Sequence, residues 1–179
     1  MIPRNFQPFP VLSTERLTLR ALHIDDAQAL FQLRSDAEIN RYLDRQPSKS
    51  LQDVTDFIRK ISEGIQNNQY IYWVITLTDS GTFVGTICLF SFSENSNECE
   101  IGFELSQPYQ KKGIMKEAAN AIINYVFTTL KGPKINAFTH KENQSSIQLL
   151  EALHFKIQQE SIEYHPNLLQ FALQNPNHL

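Results

Sequence analysis

Three lysines and a glycine crowd one short stretch of this sequence, Tyr109-Gln110-Lys111-Lys112-Gly113-Ile114-Met115-Lys116. Such a cluster can hold an anion if the chain turns into a helix there. The first N–H groups of a helix lack internal partners, and the helix dipole places partial positive charge at that end. Lys111, Lys112 and Lys116 add full charges, and Gly113 lets a ligand approach the backbone closely. A phosphate or pyrophosphate suits such a place; an ordinary strand-to-helix turn with solvated lysines is the alternative. Just upstream, Glu98, Glu100 and Glu104 recur at even positions. Grouped carboxylates can carry protons in a reaction, or can be solvated side chains on an exposed face.

The elements that must position these residues are legible in the pattern. Glu98 to Leu105 alternates. Cys99, Ile101, Phe103 and Leu105 share one face, and Glu98, Glu100, Gly102 and Glu104 share the other, as in a strand. From Met115 the apolar positions Ala118, Ala119, Ile122, Ile123, Val126, Phe127 and Leu130 trace the stripe of a helix lying on a sheet. A strand therefore runs into a basic turn and then into a long helix, which Lys131-Gly132-Pro133 stops. The turn has neither the G-x-x-x-x-G-K-[ST] nor the G-x-G-x-x-G spacing, so two familiar phosphate loops are excluded.

The rest of the chain supplies the frame. Residues 1–13 carry three prolines and read as an extended arm along the surface. Glu15 to Ala21 alternates as a first strand, and Asp25 is a candidate cap for a helix that ends near Asp36. Residues 37–49 read as turn and loop. Ser50 with Asp53 forms a capping-box pattern ahead of Val54, Phe57, Ile58, Ile61 and Ile65, a second amphipathic helix closed by Asn67-Asn68. Tyr70 to Leu77, Phe83 to Phe92 and Glu98 to Leu105, joined by Asp79-Ser80-Gly81 and Asn95-Ser96-Asn97, form an antiparallel meander. Lys134 to Phe138 follows a helical crossover and should run parallel to the 98–105 strand. Asn143 opens a last helix ended by His154-Phe155. Residues 155–164 and 168–173 close the sheet around His165-Pro166-Asn167, and a polar tail frays after 174. The order β-α-α-β-β-β-α-β-α-β-β is an α+β layout with a mixed, mostly antiparallel sheet.

Gln110, Gly113 and Met115 match the Gln-x-x-Gly-x-(Gly/Ala) pyrophosphate loop of the GNAT superfamily of acyl-CoA N-acyltransferases, which this chain resembles over nearly its whole length. Met115 departs from the small residue usual there, a change a loop acting through its N–H groups can accept. Leu-x-Thr-Glu-Arg-Leu-x-Leu-Arg at 12–20, Asn-x-x-Ser at 143–146 and Leu-x-Phe at 153–155 fall in the same order and spacing as in that family. The words at 100–105 and 113–118 look most like the RimJ/RimL branch of ribosomal-protein N-acetyltransferases. His154 stands where the family has glycine, a place His can take if it is left-handed.

The resemblance implies a wedge for acetyl-CoA between the 98–105 strand and the next parallel strand. Backbone groups of Phe103 and Leu105 would pair with the pantetheine arm like an added strand. The N–H groups of Gln110, Lys111, Lys112, Gly113, Ile114 and Met115 would hold the pyrophosphate. Asn143 would bond the pantetheine arm, cap its helix, or both. The implied reaction is attack of a neutral primary amine on the thioester, which needs a base, an oxyanion donor and a proton for the thiolate. Glu104 and Glu100 are the candidate bases, directly or through water, and a backbone N–H near Leu105 is the candidate oxyanion donor. The tyrosine often found in these enzymes falls at Leu150, so Ser146 becomes the candidate proton donor; it can equally be a small packing residue. A CoA thiol with a pKa of about 8.5, by analogy with cysteine, leaves without much help. His140 and Tyr42 are candidate acceptor contacts, and Trp73 either lines the acceptor pocket or packs in the core.

Composition bounds the remaining classes. The chain has 179 residues, 41% hydrophobic and 20% charged, with a net charge of −3. That fits one soluble domain spanning 1–179 with a real core, and argues weakly against nucleic acid as the main partner. No apolar run reaches the roughly 18 residues of a membrane span, and the N-terminus lacks a signal-peptide core, so the cytoplasm is the expected location. Cys88 and Cys99 could pair but read better as buried thiols in a reducing compartment. The five histidines have no metal-ligand spacing, and no metal is expected. The function the resemblance implies is acetyl-CoA-dependent N-acetylation of a protein N-terminus, a ribosomal protein's among the candidates, or of a small amine of polyamine or antibiotic type. A CoA-binding module without turnover and a nucleotide-binding protein are the alternatives, and a homodimer is a family expectation only.

Overall fold

The computed structural model describes residues 5–93, 98–159 and 165–177. An eight-stranded mixed sheet runs in the order β1-β2-β3-β4-β5-β6-β8-β7. Its strands are β1 (Leu12–Ser13), β2 (Leu17–Ala21), β3 (Ile71–Leu77), β4 (Phe83–Phe90), β5 (Glu98–Leu105), β6 (Lys134–His140), β7 (Lys156–Gln159) and β8 (Leu168–Gln174). The helices are α1 (Ala27–Ser35), α2 (Ala37–Asn40), α3 (Leu51–Gln66), α4 (Ile114–Asn124) and α5 (Gln144–Ala152). β5 and β6 are the parallel pair, linked through α4, as the crossover requires.

Helices cover both faces of the sheet. Trp73 of β3 meets Tyr125, just past α4, edge-on with ring centroids 5.8 Å apart. On the opposite face Tyr72 meets Phe57 of α3 at 5.7 Å. β3 is therefore buried on both sides, and its run Ile71 to Thr76 is buried throughout. The capping box of α3 is as the sequence reads. Asp53 N–H donates to Ser50 Oγ at 3.2 Å, and Ser50 N–H donates to Asp53 Oδ2 at 3.1 Å. Its buried stripe is Val54, Ile58, Ile61 and Ile65.

Several expectations change. From residue 5 the N-terminal arm is more than a surface strap: Phe6 is fully buried, Pro10 accepts a 2.7 Å bond from the Trp73 indole, and Leu12–Ser13 pair with β2. Apolar burial against Trp73 holds it. Asp25 is not the cap near α1; Asp26 and His23 form the box, and Asp26 also holds Arg20 at 2.7 Å. The 37–49 stretch contains the short α2, capped by Asp36. β4 ends at Phe90, because Ser91 turns left-handed at φ 49°. The helix expected to run on through Leu130 keeps α geometry only to Asn124; Tyr125–Thr129 form a π-helical turn, and Lys131, not Gly132, takes the left-handed place after it, at φ 55°. His154 does adopt φ 67°. Asn175 is buried and donates 3.0 Å to the Gly132 carbonyl, so the tail is tied down there. The 95–97 turn and the end of the strand expected over 155–164 lie outside the described residues. Among the described residues, no helix is long and apolar enough to cross a membrane.

Candidate active site

β5 and β6 stay together for only three residues, Glu98 with Lys134, Cys99 with Ile135 and Glu100 with Asn136. Beyond that they part, while β6 keeps pairing with β8 along its whole length. One edge of β5 is thereby left open. Ser106 N–H bonds to the Val84 carbonyl at 2.9 Å, so alternation turns the even positions of β5 toward β4. The backbone groups of Ile101, Phe103 and Leu105 face the gap. Gly85 lets β5 lie this close to β4, since a side chain there would begin 2.3 Å from the Glu104 carbonyl oxygen.

The basic turn closes one end of the gap. Gln110 departs from its expected role. Its N–H is spent on the Gln107 carbonyl at 3.1 Å, and its side-chain amide donates to the Leu105 carbonyl at 2.9 Å. It ties the turn to the strand, and it takes the Leu105 carbonyl away from any ligand. Lys111 at φ 58° and Gly113 at φ 75° are both left-handed, and alternating hand turns successive amides toward one concave side. After Gln110, the next amide with a partner among the described residues is that of Glu117, which donates to the Gly113 carbonyl at 3.0 Å. The N–H groups of 111–116 stay open. Met115 points into the core at 6% exposure, so its bulk does not obstruct them.

Two residues that sequence reasoning missed hold this turn. Arg16 donates from Nη1 to the Lys112 carbonyl at 3.1 Å and from Nε to Glu117 Oε2 at 2.7 Å. Glu117 also accepts from Thr14 and from the Arg16 backbone. Burial opposes its ionisation, but these hydrogen bonds outweigh it and hold the carboxyl below its usual range. The 12–20 word contained Thr14 and Arg16, so the signal was present without its partner.

The carboxylates lie on the face covered by α1 and α3. Glu104 is not free: both its oxygens face the guanidinium of Arg45, with side-chain exposures of 14% and 20%. Arg45 Nε in turn donates to Asn40 Oδ1 at 2.7 Å. Glu100 is half-buried, and burial raises its pKa, a shift the Ser91 hydroxyl partly offsets. Opposite Glu100, Asn136 donates to Glu98 at 2.8 Å while its Oδ1 is buried without a partner. Arg34 Nε and the Tyr72 hydroxyl are in the same condition on the same side of the sheet. Neighbouring Cys88 is pushed up to about 12 by burial and is inert as a nucleophile.

The other candidates fall in different places. Asn143 Oδ1 accepts from Ser146 N–H at 3.2 Å, so it caps α5 and leaves its side-chain NH₂ open. The Ser146 hydroxyl has no partner among the described residues, and Leu150 is buried. Tyr42 stacks on His140 at 5.4 Å, at the open end of the parted strands. Trp73 is fully buried on the opposite face and lines no acceptor pocket. A cavity of about 530 Å³ lies elsewhere, between β1 and α4, lined by Leu12, Thr14, Glu117 and Asn120. It touches the turn's anchor and not the parted strands, where the carboxylates are.

A parted parallel strand pair with an open amide turn at its end offers an extended ligand a strand edge and a place for its phosphates. The family described as the acetyltransferase (GNAT) domain matches residues 16–156, and the chain belongs to it. The uncharacterized N-acetyltransferase p20 of Bacillus licheniformis is 32% identical over 145 residues, 81% of this chain and 82% of that protein. Spermidine N(1)-acetyltransferase of Escherichia coli K12 is 24% identical over 148 residues, 83% of this chain and 77% of its own. In fold the chain is similar to RimL, the ribosomal L7/L12 α-N-protein acetyltransferase, solved with coenzyme A. That likeness has a TM-score of 0.83 at 18% identity over 92% of this chain and 98% of RimL.

Proposed function

We propose that the protein transfers an acetyl group from acetyl-CoA to a primary amine, either a protein N-terminus or a small amine. The parting of β5 from β6 directly after Glu100 and Asn136, with the open amides of 111–116 beyond, is the observation that carries this reading. Relatives of both acceptor kinds support the pairing of donor and amine.

Acetyl-CoA supplies a thioester whose carbonyl carbon the amine can attack. The 111–116 amides, with Lys111, Lys112 and Lys116, hold its pyrophosphate, and the Phe103 edge and the Asn143 amide hold its arm. Glu100 takes the ammonium proton, directly or through water; its raised pKa suits a proton acceptor working near neutrality. Glu104, with both oxygens bonded to Arg45, fixes the loop after α2 and contributes charge rather than accepting the proton. The Leu105 N–H points into the gap and stabilises the carbonyl oxygen as the C–N bond forms. When the C–S bond breaks, the Ser146 hydroxyl gives the thiolate a proton and regains one from water.

A thermal-shift titration with acetyl-CoA, CoA, NAD and ATP is the first test. A ligand at 100 times its Kd stabilises by about 2.7 kcal/mol, roughly 5–10 °C in a chain of this size. Shifts with acetyl-CoA and CoA alone, followed by thiol release that depends on added amine, support the reading. Shifts without turnover would leave a CoA-binding module; equal shifts with NAD or ATP would make the turn a general nucleotide site.

A further inference from the structure

We propose that the amine acceptor also carries a carboxylate, and that Arg34 and Tyr72 bind it. This rests on the acetyltransferase reading and names the class of its second substrate.

Arg34 lies near the C-terminal end of α1, on the side of the sheet that bears Glu100 and Glu104. Its guanidinium carbon sits 3.8 Å over the Phe57 ring centroid. Stacking occupies one flat face and leaves the in-plane donors for a ligand. The group is partly buried, yet among the described residues no carboxylate pairs with it, and Nε has no acceptor at all. The Tyr72 hydroxyl beside it is buried without a partner, on a side chain 6% exposed. Glu104, Thr86 and Cys88 are its other polar neighbours, Thr86 within weak hydrogen-bonding reach.

The neighbouring charges cannot satisfy Arg34. Glu104 is the nearby carboxylate, and both its oxygens are taken by Arg45. Arg45 holds Glu104 through both Nη atoms and gives its Nε to Asn40. Around Arg34 two guanidiniums thus share one carboxylate, Glu104; Glu100 lies farther along β5, where burial raises its pKa. Buried charge without a counter-charge is costly, and proteins keep it where a ligand completes it. A ligand carboxylate would accept from the Arg34 fork and from the Tyr72 O–H together. Water can fill the hydrogen bonds but not the charge. A polyamine would add positive charge beside the two guanidiniums and be disfavoured.

The position is at the acceptor side. The Arg34 carbonyl accepts from Ser48 N–H at 3.1 Å and from the Asn40 amide at 2.9 Å, which folds the 41–50 loop over it. The same loop carries Tyr42, stacked on His140 at the mouth of the parted strands.

The test is a panel of amines on the full-length protein: alanine, alaninamide, the C-terminally amidated dipeptides Ala-Glu and Ala-Gln, and spermidine. Thiol release is measured, and so is binding to CoA-loaded protein by calorimetry. The expected result is a preference of about tenfold or more for alanine over alaninamide, or for Ala-Glu over Ala-Gln, in kcat/KM and in Kd. The first preference identifies an α-carboxylate and the second an acidic side chain. Arg34→Gln should erase it, and Tyr72→Phe should weaken it through KM with little change in melting temperature, since the hydroxyl makes no well-formed hydrogen bond in the free protein. Equal use of acids and amides, or preference for spermidine, overturns the inference and leaves the acetyltransferase reading standing. No turnover with any amine overturns that reading instead; binding of acids over amides would still uphold the carboxylate site, and equal binding would sink it.

Discussion

Glu104 Oε2 lies 2.8 Å from Arg45 Nη2, in a fork that joins β5 to the loop between α2 and α3. Because Arg45 also holds Asn40, this pair fixes the cover over the acceptor face. Arg45→Met should therefore cost about 3 kcal/mol of stability, since it leaves a largely buried carboxylate unpaired. Glu104→Gln should cost less, because the amide still accepts one bond. Chemical denaturation of both single variants and the double variant measures the coupling, and additivity would show the pair to be idle. Turnover should fall in both single variants through KM for the amine, with acetyl-CoA affinity kept.

Glu100 gives a pH signature. Burial raises its pKa in the folded protein, so the folded state binds its proton over a range where the unfolded chain has released it. Its contribution to stability is present at low pH and lost as pH rises through the folded value. Glu100→Gln should raise the melting temperature at pH 7, and the gain should vanish below the ordinary carboxylate range. The same substitution should remove the acidic limb of the kcat/KM profile and lower the rate by about a hundredfold. A variant with wild-type rate and profile would pass the base role to water.

The 111–116 turn should be sensitive to charge and to its anchor. A side chain at Gly113 meets only Arg16 at 3.5 Å, so space is not the obstacle; φ 75° and charge are. Gly113→Glu should abolish measurable acetyl-CoA binding through repulsion of the pyrophosphate, with the fold checked by circular dichroism. Arg16→Ala should raise the Kd for acetyl-CoA by about tenfold, because the Lys112 carbonyl loses its holding bond. Undiminished affinity in both folded variants would refute the phosphate assignment.

Asn143 can be separated into two roles. Asp caps a helix as well as Asn, but it has no NH₂ to donate. Asn143→Asp should keep the melting temperature of the free protein and raise KM for acetyl-CoA severalfold. Asn143→Ala should lose both, with about 1 kcal/mol from the cap. Matching behaviour of the two variants toward acetyl-CoA and heat would confine Asn143 to the cap.

What the sequence determined by itself was local. The alternation of Glu98 to Leu105, the stripe from Met115 and the Ser50–Asp53 box each depend on residues within a turn or two, so period and capping chemistry reveal them. The order of those elements is enough to place the parallel pair and the basic turn at its end. Tertiary structure decided which side chains the site can use. Arg45 reaches Glu104 across 59 residues, and Arg16 reaches Lys112 across 96. Neither contact leaves a periodic trace, so Glu104 reads as a free carboxylate until the loop is folded over it. The parting of β5 from β6 is also non-local. β6 spends its other edge on β8 throughout, and Gln110 takes the Leu105 carbonyl, so the gap exists only when four segments have come together.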